Sequence, residues 1–173
     1  MLGESNAGKT KFLRQICLPK YVSFSQNLHS IFLSYSTKIF DYPELEKPFK
    51  FEIWDTASQE RYRSMTKMYY KNTDVIIFVY SITDHRSFEE IKNYWYESVK
   101  NTSEKMPILA VVANKGHKYE YEEVSYEEGK SFAHEIGAIF QESSKLSNFG
   151  INNLIKNIGK TYLIPGFNYK IGC

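Results

Sequence analysis

The sequence predicts a single α/β domain built on a mostly parallel sheet with helices on its faces. Three observations lead there. Asp74 to Ser81 (DVIIFVYS) and the segment PILAVVA from Pro107 are almost unbroken apolar runs, the pattern of strands buried on both faces. Segments with apolar residues at helical spacing alternate with them. The length of 173 residues suits one core.

In chain order, Lys9 to Leu18 suits a first helix that stops before Pro19. Ile31 to Phe40 alternates as a strand, Asp41 to Pro48 turns, and Phe49 to Trp54 (FKFEIW) returns as the next strand. After the buried run ending at Ser81, Ser87 opens SFEEIKNYWYESVKN, with an acidic first turn and Phe88, Ile91 and Trp95 on one face. Ser125-Tyr-Glu-Glu128 is a capping box for a helix that ends at Gly137, and Ala138 to Glu142 is a short strand. Ile151, Leu154, Ile155, Ile158 and Tyr162 mark a final helix. Alternating strands and helices imply right-handed crossovers, with ligands at the carboxyl ends of the strands.

The composition, 42% hydrophobic and 24% charged, is that of a packed globular protein. A net charge of +2 argues against nucleic-acid binding, which needs a concentrated basic face. Two cysteines, Cys17 and Cys173, have neither metal-ligand spacing nor the density of a disulfide scaffold, so a reducing cytoplasm is expected. No apolar run approaches the roughly 18 residues of a spanning helix, and Met1-Leu2-Gly3 does not open a signal peptide. Any membrane contact is therefore expected to be peripheral.

Gly3 to Thr10, GESNAGKT, satisfies GxxxxGK[ST] at the start of a helix. Main-chain amides and a helix amino terminus hold phosphates there, Lys9 supplies a charge for the terminal phosphates, and Thr10 a hydroxyl for magnesium. The competing reading is a chance glycine turn ahead of a helix. By itself the motif implies a nucleoside triphosphate and no particular base.

Trp54 to Tyr70, WDTASQERYRSMTKMYY, resembles the DTAGQE switch segment of Rab GTPases. Lys50 to Arg63 is similar to the family pattern KFEIWDTAGQERY, the segment from Tyr69 to Thr73 to YYRGA, and Val79 to Thr83 to VYDIT. With GESNAGKT the likeness runs from Gly3 to about Ile164, and GES with KFEIWDTA is nearest to the early-endosomal Rab subgroup. The resemblance implies a P-loop, Ras-like G domain over 1–164 with a short tail over 165–173. It also implies a monomeric switch that binds GTP or GDP with Mg2+, hydrolyses GTP, and meets an exchange factor, an activating protein and effectors in vesicle traffic. Ser5, Asn6, Ala7, Gly8, Lys9, Thr10 and Lys11 would then contact nucleotide, with Ser58, Asn114, Lys115, Ser144 and Lys145. Thr10, Ser30 and Asp55 would hold Mg2+, Asp55 through water, and Gln59 would orient the attacking water. For Asp55 the bland alternative is a strand-end capping acid, for Gln59 a solvated loop residue, and for Ser30 a strand-edge serine. Tyr35, Trp54 and Tyr69 match the aromatic triad read by effectors, against the alternative of ordinary packing.

Several positions depart from the family pattern. Ser58 replaces the switch glycine and restricts the backbone, which predicts slow hydrolysis. The base motif NKxD reads Asn114-Lys115-Gly116-His117. Imidazole cannot replace a bidentate carboxylate, and two charged hydrogen bonds at about 1.5 to 3 kcal/mol each amount to several powers of ten in affinity. The family's SAK appears as Ser144-Lys145-Leu146. The first strand is cut short to Met1 and Leu2, which predicts either residues upstream or a gap in the sheet. Cys173 ends a nine-residue tail but no CaaX box, and a single lipid there would anchor only marginally. A degenerate, nucleotide-independent interaction module is the alternative to a switch, and altered base preference a third reading.

Overall fold

The computed structural model describes residues 1–17, 34–41, 48–56, 70–143 and 149–163. Helix α1 (Lys9–Cys17) leads to β1 (Ser34–Phe40) and β2 (Phe49–Asp55), an antiparallel pair in which Tyr35 faces Trp54 and Phe40 faces Phe49. Strands β3 (Val75–Ser81), β4 (Ile108–Asn114) and β5 (Ile139–Glu142) form a parallel sheet in that order. Parallel strands need crossovers, and these are helical. The first runs through α2 (His85–Glu90), a π-helical turn (Ile91–Tyr96) and α3 (Glu97–Thr102), and the second through α4 (Tyr126–Glu135). Helix α5 (Phe149–Leu163) closes the described chain.

The two sheets meet at the amino terminus. Leu2 donates its amide to the Ile77 carbonyl and accepts from the Val79 amide, both at 2.9 Å, forming a parallel bridge opposite Phe78. On its other side Met1 donates its nitrogen to the Trp54 carbonyl at 2.6 Å and accepts from the Thr56 hydroxyl at 2.8 Å. Met1 and Leu2 therefore clamp β2 to β3. Beside them an open cleft of about 420 Å³ is lined by Phe51, Ile53, Val75, Ile77, Ile158 and Tyr162 among others.

Each face of the parallel sheet has its own core. On one, Phe88, Ile91, Trp95 and Val99 from the first crossover join Phe78, Tyr80, Val111 and Phe132. On the other, Phe12, Leu13 and Ile16 of α1 meet Ile151, Leu154, Ile155 and Ile158 of α5 across Val79 and Val112. Tyr162, expected on the apolar stripe of α5, is exposed in its last turn. The first crossover helix also begins earlier than Ser87. Asp84 is the cap, accepting from the Ser87 amide at 3.2 Å, while Ser87 is buried and its hydroxyl accepts from the Ser81 amide at 3.0 Å. A carboxylate at the end of β3 caps as well as serine does, and that frees Ser87 to secure the strand's end. The Ser125 cap and the left-handed Gly137 (φ 66°) occur as read from the sequence.

The clamp makes the stability of the whole sheet sensitive to one side chain. Leu2 is 1% exposed, and Leu2→Ala should lower the free energy of urea unfolding by about 2 to 5 kcal/mol. A loss below about 1 kcal/mol would show that the Leu2 side chain contributes little to the core it enters.

Candidate nucleotide site

The loop from Gly3 to Gly8 begins where Leu2 leaves β3, and its glycines are demanded by close approach. Gly3 has φ 143°, and a β-carbon there would fall 2.2 Å from the Val79 carbonyl oxygen. Gly8 has φ 92°, and a β-carbon would fall 2.3 Å from Asn114 Nδ2. Only glycine tolerates both the angle and the space. Asn6 takes a left-handed conformation (φ 64°), the Ala7 amide donates to the Glu4 carbonyl at 3.3 Å, and the Phe12 amide closes the first helical bond to Gly8 at 2.9 Å. The first-turn amides of such a helix have no intrahelical acceptor and present the positive end of its dipole.

Lys9 is folded over this loop. Its Nζ donates to the carbonyls of Gly3 at 2.8 Å and Glu4 at 3.0 Å, and the side chain is buried. Burial pushes its pKa down to about 8, opposed by the nearby carboxylates of Asp55 and Glu4. Thr10, one residue on, donates its hydroxyl to Asp55 Oδ2 at 2.6 Å, which joins the start of α1 to the end of β2. Asp55 is 4% exposed, and its other oxygen, Oδ1, is buried without a hydrogen-bond partner. A carboxylate with an unsatisfied buried oxygen beside a hydroxyl is the oxygen donor set that suits a hard divalent cation such as Mg2+.

On the other flank Asn114, at the carboxyl end of β4, is buried and committed to the protein. Its Nδ2 donates to the Ala7 carbonyl and its Oδ1 accepts from the Lys115 amide, both at 2.8 Å. It braces the phosphate loop against the sheet. Lys115 is left-handed (φ 69°), and burial together with nearby Lys118 lowers its pKa. The chain then enters a 3-10 turn, Gly116–Tyr121, where the backbone of His117 lies; its side chain is outside the described residues. Tyr119 of that turn donates its hydroxyl to Glu142 at the end of β5, a bond that raises its pKa to about 12. Lys11 is exposed on the first turn of α1.

Tyr35 and Trp54 form an exposed cross-strand pair, 48% and 39% accessible, with ring centroids 4.6 Å apart. The structure thus brings together Gly8, Lys9, Thr10, Asp55 and Asn114, and separately pairs two of the three expected surface aromatics. Ser30, Ser58, Gln59, Tyr69, Ser144, Lys145 and Cys173 lie outside the described residues. One contact that crosses the core to the loop has no sequence signal, Trp95 Nε1 donating to Glu4 Oε1 at 3.2 Å. Nor does the sequence mark Ser143, buried at the end of β5 with its amide on the Ala113 carbonyl.

A glycine loop entering a helix at the carboxyl end of a parallel sheet, with a threonine and an aspartate at hand for a cation, belongs to the P-loop class, here in its Ras-like G-domain form. The Ras family model matches residues 1–163, and the chain belongs to that family. Similar curated proteins carry Rab names. Ras-related protein Rab5A of Oryza sativa subsp. japonica is 32% identical over 164 residues, covering 94% of this chain and 78% of the relative. Ras-related protein Rab-4 of Dictyostelium discoideum is 31% identical over 163 residues (94% and 77%), and RabC of the same organism 30% over 160 (89% and 77%). The chain is a Rab-type small GTPase of membrane traffic, a class that works with guanine nucleotide, Mg2+, regulators and effectors. No helix among the described residues is long and apolar enough to cross a membrane.

The depressed Lys9 pKa has a definite sign in stability. Below pH 8 folded and unfolded chains both carry the proton; between about 8 and the ordinary lysine value of 10.5 the unfolded chain binds more of it, so stability rises with pH across that window. The expected gain is on the order of 3 kcal/mol in nucleotide-free protein, and Lys9→Met should flatten the slope. Urea unfolding at pH 7.5, 9 and 10.5 measures it, and identical slopes in the two proteins would refute the assignment.

Proposed function

We propose that this chain works as a magnesium-dependent guanine-nucleotide switch whose base recognition is weakened and whose turnover is slow. The observation that carries it is the arrangement of Lys9, Thr10 and Asp55, with Asp55 Oδ1 buried and unsatisfied next to the Thr10 hydroxyl. In this reading the amides from Ser5 to Lys11 and the Lys9 ammonium bind the phosphates, and Thr10, Asp55 and Ser30 hold Mg2+. The ion, when bound, neutralises charge on the phosphates. Gln59 orients the attacking water, while Ser58 in the glycine position restrains the switch and slows hydrolysis. Asn114, Lys115, Ser144 and Lys145 form the base side, where His117 stands in place of the aspartate that accepts two hydrogen bonds from guanine.

Tyr35 and Trp54, with Tyr69, present the effector surface. An exchange factor and an activating protein act on the same switch, in the cytoplasm and at the periphery of endomembranes of the early-endosomal kind, with Cys173 as the candidate lipid site on the 165–173 tail. The domain 1–164 acts as a monomer. Loss of the base-reading carboxylate favours a second reading, a nucleotide-independent module that offers the aromatic pair constantly.

Nucleotide released on denaturing the purified protein separates the two. Guanine nucleotide should be recovered, and added GDP with Mg2+ at a hundred times its Kd should stabilise the fold by about 2.7 kcal/mol. An empty protein whose Tm does not respond would sink the switch. His117→Asp should tighten GDP binding by tenfold or more, which unchanged affinity would contradict.

A further inference from the structure

The helix between β3 and β4 is not regular. Ile91–Tyr96 is π-helical, flanked by α-helix on both sides. A π turn carries one residue more than the α repeat, loosens side-chain packing, and persists mostly where the redirected side chains have work to do. Trp95 sits in this turn. It is 1% exposed, edge-on to Tyr94 with ring centroids 5.0 Å apart, and its indole N–H reaches Glu4 across 91 positions of sequence.

Glu4 is the second residue of the phosphate loop and 7% exposed. Its carbonyl holds Lys9 Nζ and the Ala7 amide, so its backbone is part of the loop's own frame. Its side chain is a different matter. A buried carboxylate inside a loop built to bind phosphate repels the ligand, at a distance where little water screens the charge. Indole donates one neutral hydrogen bond and no charge, so it orients the carboxylate without neutralising it.

We propose, on the nucleotide-binding reading above, that Trp95 is a positioning residue for that site: its N–H holds the Glu4 carboxylate on the helix side of the loop, and the π turn exists to place it there. The helix from His85 to Thr102 is thereby tied to the phosphate loop by a side chain as well as through the sheet.

Trp95→Phe removes the N–H while keeping an aromatic ring. GDP affinity in the presence of Mg2+, measured by titration calorimetry on the full chain, should fall five- to twentyfold. Adding Glu4→Gln to that variant should bring affinity back to within about twofold of Glu4→Gln alone, because the released charge is gone. A purely structural tryptophan would lower the urea midpoint and leave GDP affinity unchanged, or would show a loss that Glu4→Gln does not rescue; either result overturns the proposal. Should Trp95→Phe fail to fold, Glu4→Gln alone still tests it: affinity equal to or above wild type is expected, and a tenfold loss would mean that the carboxylate assists the ligand. No GDP binding by the wild-type chain would overturn the nucleotide reading and this one with it, whereas normal binding with no effect of Trp95→Phe overturns this one alone.

Discussion

The two main-chain hydrogen bonds between Leu2 and β3 decide where everything in the site can be. They fix the point from which Gly3 departs, and Gly3 passes so close to Val79 that no side chain fits. From that point the loop has one way to reach the start of α1, through the left-handed Asn6 and the crowded Gly8, and Asn114 holds the middle of the path by its bond to Ala7. Met1 makes the matching attachment to Trp54, which sets the end of β2 and hence Asp55 relative to Thr10. The Leu2 bridge needs only alternate amides and carbonyls, while α1 and α5 supply the apolar burial on that side.

Within this frame the site holds more charge than its burial would ordinarily allow. Lys9, Asp55 and Glu4 are each under 8% exposed. Among the described residues the ammonium has backbone carbonyls for partners and no direct ion pair, and burial dominates its titration and lowers the pKa despite the two carboxylates. Such an arrangement is poor for stability and good for binding. Phosphate would restore the electrostatic partner that the folded chain withholds, and a cation at Asp55 Oδ1 would satisfy the oxygen left without a hydrogen bond.

The parts legible in the sequence were those with one dominant cause. Apolar runs became β3 and β4, the capping box became α4, and Phe88, Ile91 and Trp95 became a buried face, because burial and capping act on neighbours in sequence. GESNAGKT and Asp55 were legible for a similar reason, as spacing dictates the chemistry. The π turn escaped notice since its apolar residues fit a 3.6-residue period nearly as well over so short a span. The acidic turn and apolar face that follow Ser87 place the helix start there, whereas the cap is Asp84, nearer the strand. Tyr162 fits the stripe of α5 yet is exposed, on the open cleft that it lines with residues of β2 and β3. The role of Asn114 as a brace, and the Trp95 contact with Glu4, depend on tertiary approach and have no local signature.

The two flanks of the site rest on supports of unequal stiffness, and that bears on how the departures from the family pattern can be accommodated. The phosphate flank hangs from buried strands, where Gly3 and Gly8 admit no side chain and Lys9, Asp55 and Asn114 are each fixed by hydrogen bonds within the core. The base flank is carried by the Gly116–Tyr121 turn. Within it Tyr119 is 57% exposed, and its bond to Glu142 lies at the surface. A change of residue on the first flank would displace backbone or leave a charge unpaired; on the second it alters a side chain in a surface turn that is held to β5 by the Tyr119 hydroxyl. Position 117 therefore lies on the flank less tied to the buried strands. A change in the base motif is thus compatible with an intact phosphate loop, which Trp95 meets from the core side through Glu4.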